Sequence, residues 1–215
     1  ATSNSTPRFD HDPTTGESLG LLVEESRTNF IKRSTDLVTQ PWIAPTGATL
    51  AASSELAPDG TATAYKYTAT DSPNYFYYIY AEPTQNTTAT ISFWVKNISA
   101  TDVRLGVLSL TPFTWILDPT TTSYTTEINS NGWTRISRTF TVGSTIVSVY
   151  PFHSVNVGGE LLIWGVQLET GSFPTSYIPT SGSTVTRAAD IASITGTNFS
   201  GFYNQSEGTA FVDAT

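Results

Sequence analysis

Short runs of β-branched and aromatic residues recur along most of this chain, and Pro, Gly, Asn or Asp separates each run from the next. Runs of this length and spacing are typical of the strands of all-β sandwiches. The pattern predicts eight strands: Thr61–Ala69, Tyr75–Ala81, Ala89–Asn97, Val103–Leu110, Thr114–Leu117, Trp133–Val142, Ile146–Phe152 and Glu160–Glu169. Eight antiparallel strands indicate an all-β fold of the jelly-roll sandwich type.

Alternation within these runs assigns their side chains to the two faces of a sheet. In the third run one face is apolar and is predicted to be core: Ile91, Phe93 and Val95. Trp94 lies on the opposite face of that strand. In the last run the apolar face is predicted to include Trp164 in the core: Leu162, Trp164, Val166 and Leu168.

The composition suits one sandwich stabilised by packing and sheet hydrogen bonds. Ser and Thr make up 62 of the 215 residues and charged residues only 13%, which fits strands with polar outer faces. The absence of Cys excludes disulfides, thiolate metal sites and thiol catalysis. The length is sufficient for one sandwich with a sizeable core.

The charge excludes one class of partner. A net charge of −8 would repel a phosphate backbone, and the ten Lys and Arg residues form no basic run. No stretch approaches the roughly 20 apolar residues of a membrane span, and the N-terminus lacks a signal-peptide pattern. We expect no nucleic-acid partner and no membrane insertion, and neutral glycans are favoured over anionic ones.

The two ends of the chain lack the strand pattern. The first 20 residues cluster Pro, Gly, Asp and Thr, which predicts an irregular arm. For Leu19–Ile31 a short strand and a single helical turn fit equally well. After Ile178 the chain is rich in Gly, Ser, Thr and Asn, which predicts a loop-like extension.

Several peptides in this chain resemble peptides of tailed-phage virion proteins, and they occur in the expected order from one end to the other. The first runs from Pro7-Arg8-Phe9-Asp10-His11-Asp12-Pro13 through Gly16-Glu17-Ser18-Leu19-Gly20-Leu21-Leu22-Val23-Glu24-Glu25-Ser26-Arg27-Thr28-Asn29. The others are Trp164-Gly165-Val166-Gln167-Leu168-Glu169, Pro174-Thr175-Ser176-Tyr177-Ile178-Pro179-Thr180 and Thr186-Arg187-Ala188-Ala189-Asp190. The resemblance implies a β-sandwich module, similar to carbohydrate-binding modules, in a tail fibre, spike or capsid decoration.

The combined pattern predicts three parts: an N-terminal arm over 1–30, a jelly-roll sandwich over 31–180 and a linker over 181–215. In similar phage proteins the last position leads into a further lectin-like domain, and Gly208–Val212 is a candidate for its first strand. The chain has no Met, so we interpret it as a piece of something longer or as processed.

Carbohydrate-binding proteins stack an aromatic ring under the apolar face of a sugar ring, so outward-facing aromatic residues are the candidates for binding. Trp94 is the first of these, although cover by a loop or a partner chain explains it better. Tyr75–Tyr80 has aromatic residues on both faces, so either Tyr75 and Tyr77, or Phe76, Tyr78 and Tyr80, lie outside the core. A glycan or a subunit contact would explain such a surface equally well.

Three further residues complete the glycan- or partner-binding candidates. Trp42 follows Pro41, and Trp115 lies near Pro112; either ring can stack on a ligand or plug one end of the sandwich. His153 follows a strand and is a candidate for a loop site, although a structural role is favoured for a lone His.

Catalysis is unsupported by any motif, so we expect no enzyme. The sequence identifies no pair of carboxylates for a glycosidase and no Gly-x-Ser-x-Gly nucleophile. No cofactor is expected. Asp10 and Asp12 are candidates for a structural Ca²⁺, although an ion pair of either with Arg8 or Arg27 is the favoured alternative.

Three functions fit these observations. The first is a surface-exposed virion module that contacts host-surface glycan from a tail fibre, spike or capsid decoration. The second is an architectural protein that cements virion subunits, and the third is a polysaccharide depolymerase. By analogy with phage fibres, other virion proteins and further copies of the chain, guessed as a trimer, are expected partners at the particle surface.

Overall fold

The structure, a computed structural model, describes residues 7–12, 15–101, 103–119, 125–128, 132–143, 147–193, 196–201, 203–204 and 206. It has these elements in chain order: β1 (Phe9–His11), β2 (Ser18–Leu21), β3 (Arg27–Asn29), β4 (Trp42–Thr46), β5 (Ala48–Ala52), β6 (Tyr65–Ala69), β7 (Tyr75–Ala81), β8 (Thr88–Asn97), β9 (Gly106–Leu110), β10 (Phe113–Leu117), β11 (Thr125–Ile128), β12 (Thr134–Thr141), β13 (Val147–Phe152), β14 (Glu160–Thr170), β15 (Val185–Arg187) and a four-residue helix α1 (Thr197–Ser200).

Two antiparallel sheets form the body of the protein. A five-stranded sheet has the order β10-β9-β13-β7-β4, and a six-stranded sheet has the order β11-β12-β8-β14-β6-β5. Two smaller two-stranded sheets, β1-β2 and β15-β3, lie outside this body. The prediction of an all-β fold of the jelly-roll sandwich type is confirmed.

Apolar side chains from both sheets meet in one core. Phe152 from the five-stranded sheet lies 5.0 Å from Tyr67 and 6.1 Å from Phe93, both from the six-stranded sheet, measured between ring centroids. Ile91, Phe93 and Val95 are buried in this core, so their predicted face is confirmed. Burial of apolar area at this scale is the main stabilising contribution to a sandwich.

The eight predicted strands correspond to observed strands, with ends that differ by up to four residues. In the two main sheets the pattern missed β4, β5 and β11. Strand β4 contains Pro45 and β5 consists largely of Ala, residues that are depleted in strands. The choice left open for Leu19–Ile31 is resolved in favour of strands, with β2 ending at Leu21 and β3 spanning Arg27–Asn29.

The predicted face of β14 is wrong over half its length, because a bulge interrupts the alternation. The pairing of β14 with β8 shifts register between Trp164 and Gln167, and Gly165 in this interval has φ of +65°. Val166 and Leu168 therefore reach the main core, whereas Leu162 and Trp164 lie on the outer face of the sheet. A bulge adds one residue to one strand and so reverses the faces beyond it.

Replacing Gly165 by alanine is expected to lower the free energy of unfolding by about 1–2 kcal/mol, because φ of +65° is unfavourable for an L side chain. A Cβ there would also lie 3.3 Å from Trp94 Cδ1. Urea unfolding followed by circular dichroism measures the loss. Gly143→Ala is the control, because its Cβ would meet no atom within 4 Å. Equal effects of the two substitutions would contradict the assigned bulge.

A second apolar cluster covers part of the outer face of the six-stranded sheet. Trp133, Leu162 and Trp164 are buried in it, and Trp94 packs against it half-buried. Tyr177, from the segment after β14, lies over Trp164 with 4.4 Å between ring centroids. The segment that follows β14 thus shields a face that would otherwise be exposed to water.

An ionic cluster holds the N-terminal arm against the C-terminal segment. Glu24 Oε2 accepts hydrogen bonds from Arg8, at 2.8 Å, and from Arg187, while Glu24 Oε1 accepts the backbone N–H of Ser176 at 2.7 Å. Asp190 accepts from Arg8 and, at 2.9 Å, from the backbone N–H of Glu24. The arm is therefore docked by side chains that are more than 100 residues apart in sequence.

A buried polar network lies next to this cluster. Glu169, which is fully buried, accepts hydrogen bonds from Gln167 Nε2, Thr175 Oγ1 and the Thr175 backbone N–H at 2.7–2.9 Å. Asn29 donates to the Ile178 carbonyl at 2.9 Å. The peptides that carry the phage resemblance therefore meet on one face of the sandwich, where they join its two terminal segments.

The C-terminal segment is more regular than predicted over 181–193, because β15 pairs with β3 there. Gly208–Val212, the candidate first strand of a further domain, lies outside the described residues. No helix within the described part of the chain combines the length and hydropathy of a bilayer span.

Candidate functional site

Five aromatic side chains cluster on the outer face of the five-stranded sheet, the face turned away from the core. Tyr75 and Tyr77 come from β7, Tyr150 from β13, Trp115 from β10, and His153 follows β13. All five residues are half-buried, so each keeps an accessible part. We call these five residues the aromatic platform.

The rings of the platform are in mutual contact. Tyr77 and Tyr150 stack with 4.6 Å between centroids and 15° between planes. Trp115 meets Tyr150 at 5.2 Å and His153 at 5.1 Å, both edge to face, and Tyr75 lies 6.0 Å from Tyr77. With strands about 4.8 Å apart, the surface from β7 to β10 extends roughly 14 Å.

The position of Trp115 depends on a glycine in the neighbouring strand. Gly106 of β9 pairs with Tyr150, and a Cβ at Gly106 would lie 2.8 Å from Trp115 Cζ3. The missing side chain therefore lets the Trp115 ring lie across β9 and reach Tyr150. Phe113, two residues earlier in β10, is 77% exposed and extends the apolar surface toward the edge of the sheet.

Two groups of the platform are uncharged at neutral pH. Burial lowers the pKa of His153 below its ordinary value, and the charge of Arg104 adds to this effect while Asp118 opposes it. Burial raises the pKa of Tyr150 to about 12, with smaller contributions from Tyr77 and Tyr75. The platform therefore offers ring faces together with neutral hydroxyl and imidazole groups.

The groups on such a surface are suited to recognising a sugar ring. Aromatic faces accept the apolar C–H face of a sugar ring, and hydroxyl and imidazole groups beside them exchange hydrogen bonds with sugar hydroxyls. The Arg104 carbonyl accepts the backbone N–H of His153 at 2.9 Å, which fixes the backbone at one end of the surface. A rigid platform loses little entropy when a ligand binds.

The structure brings together four of the six sequence-based binding candidates, which are Tyr75, Tyr77, Trp115 and His153. The structure does not support Trp42 as a binding candidate, because this residue is only 2% exposed. Its ring stacks on Phe76 at 4.7 Å, and its Nε1 donates to the Arg33 carbonyl at 2.7 Å. Strand β4, which the sequence did not predict, turns this residue into the core, so no ligand reaches it.

Trp94 lies on the other sheet, apart from the platform. It packs against the second apolar cluster, and the Arg135 guanidinium lies 5.7 Å from its ring centroid. The sequence favoured cover by a loop or a partner chain over ligand binding for Trp94, and its role stays a prediction.

Sequence reasoning missed Tyr150, the fifth residue of the aromatic platform. The signal was present, because Val147 and Val149 are buried in the core and alternation turns Tyr150 outward. Its partners lie 73 and 35 residues earlier in the chain, at Tyr77 and Trp115, so only the fold brings them together.

Asp10 and Asp12 both accept backbone hydrogen bonds within the arm. Asp12 Oδ1 accepts the N–H of Thr15 at 2.8 Å, and Asp10 Oδ1 accepts that of His11 at 3.0 Å. Arg8 pairs with Glu24 and Asp190, and Arg27 pairs with Glu25. Over the described residues, no three His, Asp or Glu side chains group closely enough to hold a metal ion. Calcium binding at Asp10 and Asp12 stays a prediction.

Comparisons with known proteins give matches among solved structures only. A scan against protein-family models finds no match, and a search of curated proteins finds none. The xylan-binding domain CBM22-1 of Paenibacillus barcinonensis Xyn10C is similar, with 16% identity and a TM-score of 0.48, over 69% of this chain and 94% of that one.

Two other similar structures come from different sources. The enzymatically active domain of bacteriophage CBA120 tailspike protein 4 has 13% identity and a TM-score of 0.46, over 66% of this chain but only 21% of that one. The C-terminal CBM6 of LamC from Zobellia galactanivorans has 14% identity and a TM-score of 0.37, over 68% and 100% of the two chains. No ligand of this chain follows from these similarities.

Proposed function

We propose that the aromatic platform binds a neutral glycan and that the protein is a non-catalytic module on the surface of a tailed-phage particle. The proposal of glycan binding is supported by the cluster of mutually packed rings on one sheet face. The net charge of −8 favours a neutral ligand over an anionic one. The virion half rests on the resemblance of the terminal peptides to phage proteins.

Replacing Trp115 by alanine is expected to weaken binding to a glycan roughly 10- to 100-fold, because the ring supplies one of the larger faces of the platform. A glycan array identifies the ligand, and calorimetry then measures its affinity. Gly106→Ala tests the same surface differently, because its new methyl group displaces the Trp115 ring without removing it.

Tyr80→Ala is the matched control for this experiment. Tyr80 lies on the same strand as Tyr75 and Tyr77, is 56% exposed and is not part of the platform. Its replacement should leave the affinity unchanged. If no glycan of the array binds, or if Trp115→Ala binds as tightly as the unmodified protein, the proposed glycan function fails.

A second candidate function, the architectural one, is favoured by a separate surface. Strands β1 and β2 form an isolated hairpin in which Phe9, Leu19 and Leu21 are 49–60% exposed. A two-stranded hairpin is marginally stable alone, so a contact with a neighbouring subunit would stabilise it. Phe9→Ser should then impair incorporation into particles while glycan binding persists.

The remaining expectations have direct measurements. Light scattering of the purified protein tests the homo-oligomer, guessed as a trimer. Labelled antibodies on particles, viewed by electron microscopy, test the virion location and separate tail from head. Release of reducing ends from bound polysaccharide would instead support the third hypothesis, a depolymerase.

A further inference from the structure

A pocket of about 540 Å³ lies between the arm and the segment after β14, on the outer face of the six-stranded sheet. It is separate from the aromatic platform, which lies on the outer face of the other sheet. Six lining residues matter here: Asp10, Glu24, Glu25, Arg135, Phe173 and Ser176. Its volume is within the range of small-molecule sites.

The pocket combines one accessible ring with several polar groups. Phe173 is 53% exposed, and the guanidinium of Arg27 lies 5.1 Å from its centroid. Arg135 Nη2 is held by the Thr175 carbonyl at 2.7 Å and by Ser92 Oγ at 3.1 Å, so its guanidinium has a fixed position. A ring beside fixed donors and acceptors can recognise a sugar.

Three acids, Asp10, Glu24 and Glu25, and one arginine, Arg135, line the pocket, and arginines outside the lining balance two of the acids. Glu24 is paired with Arg8 and Arg187, and Glu25 is paired with Arg27. Asp10 and Arg135 then contribute charges of opposite sign. The walls therefore offer hydrogen-bond donors and acceptors with little net field, which favours a neutral polyhydroxylated ligand over an anion or a cation.

The walls are also fixed before a ligand arrives. The backbone N–H of Ser176 donates to Glu24 at 2.7 Å, and Thr175 is anchored to the buried Glu169 by two hydrogen bonds. The arm side is held by Arg8 through Glu24 and Asp190. Pre-organisation of this kind reduces the entropic cost of binding a small ligand.

We propose that this pocket is a second carbohydrate-binding site, which takes one or two neutral sugar units through Phe173 and the polar groups that line the pocket with it. The platform offers an open surface for a longer glycan. The pocket, a partly open recess between the arm and the segment after β14, suits a short sugar or the end of a chain. The two sites lie on opposite sheets and act independently.

The test is a titration of the isotope-labelled protein with neutral mono- and disaccharides of glucose, galactose, mannose, N-acetylglucosamine and N-acetylgalactosamine, followed by NMR. Millimolar binding should shift the amide signals of Phe173 and Ser176. Phe173→Leu should weaken this binding roughly tenfold, because a flat ring face is lost. The fold should persist, since the residue is 53% exposed.

Two controls make the result specific. Phe9→Leu replaces a ring of similar exposure, 58%, in β1 of the N-terminal arm, where it does not line the pocket, and it should leave sugar binding at the pocket unchanged. Trp115→Ala should weaken binding at the platform but leave the sugar-induced shifts of the Phe173 and Ser176 signals unchanged, so failure of the platform proposal would not remove this site. The pocket proposal is overturned if no sugar of the panel shifts these signals, if the two Phe variants behave alike, or if glucuronate or glucosamine binds more tightly than the neutral sugars.

Discussion

Replacing Trp42 by alanine is expected to lower the free energy of unfolding by about 4 kcal/mol, the range found for large buried aromatic residues. Its ring is 2% exposed, stacks on Phe76 at 4.7 Å and meets Tyr78 edge to face at 5.0 Å. The substitution leaves a cavity and also removes the hydrogen bond from Nε1 to the Arg33 carbonyl. Urea unfolding followed by circular dichroism measures the change.

Trp115→Ala is the matched control, because it removes the same side chain from the surface platform. Its cost in unfolding free energy should be no more than about 2 kcal/mol, since the ring is half-buried. Trp42→Ala should therefore lose stability, whereas Trp115→Ala should lose glycan affinity. Comparable stability losses would contradict the assignment of Trp42 to the core and Trp115 to the surface.

The second large effect is expected at Glu24. Replacement by glutamine should lower the free energy of unfolding by about 3 kcal/mol at neutral pH, because Arg8 and Arg187 lose their shared carboxylate. The Glu24 side chain is 10% exposed, so water compensates little of this loss. The arm should become accessible to proteases within residues 7–26, which mass spectrometry of the fragments detects.

The same residue gives the docking of the arm a defined pH dependence. Burial alone would raise the pKa of Glu24, but hydrogen bonds from Ser176 and Arg8 and the charge of Arg187 outweigh it and lower the pKa below its ordinary 4.5. A lowered pKa in the folded state contributes stability that is present above pH 4.5 and is lost as pH falls through the folded-state value.

Acidification should therefore weaken the arm in the unmodified protein, while the difference in stability from Glu24→Gln should shrink. Asp190 acts in the same direction, because the backbone hydrogen bond from Glu24 and the contact with Arg8 lower its pKa against a smaller effect of burial. Glu82→Gln is the control, since Glu82 is 58% exposed in its pair with Lys32. A Glu24→Gln protein that keeps the full acid transition would refute the role of this carboxylate.

The sequence predicted the sandwich because period-two alternation and turn residues are local signals. It failed where a local signal was interrupted or weak. The pattern of alternation does not indicate a bulge at Gly165, so the position of Trp164 on the outer face was missed. Pro45 concealed β4, and with it the burial of Trp42.

The aromatic platform was predicted in parts but not as a whole. Tyr75 and Tyr77 were candidates because a strand with aromatic residues on both faces leaves at least one set outside the core, and Trp115 and His153 because they lie near a proline and at a strand end. Their proximity depends on the order β10-β9-β13-β7 in the sheet, which alternation does not determine. The pocket beside Phe173 had no signal at all, since its walls come from both ends of the chain.

Because the arm docks on one side only, the two outer faces of the sandwich differ. The chain uses its own terminal segments to cover the outer side of the six-stranded sheet, while the rings of the opposite sheet stay accessible. A neighbouring subunit that binds the β1-β2 hairpin would therefore leave the rings of the aromatic platform exposed on the opposite side. Under the proposed function, several copies held side by side in this way would present their platforms to one glycan-bearing surface, and their weak individual affinities would combine into a high avidity.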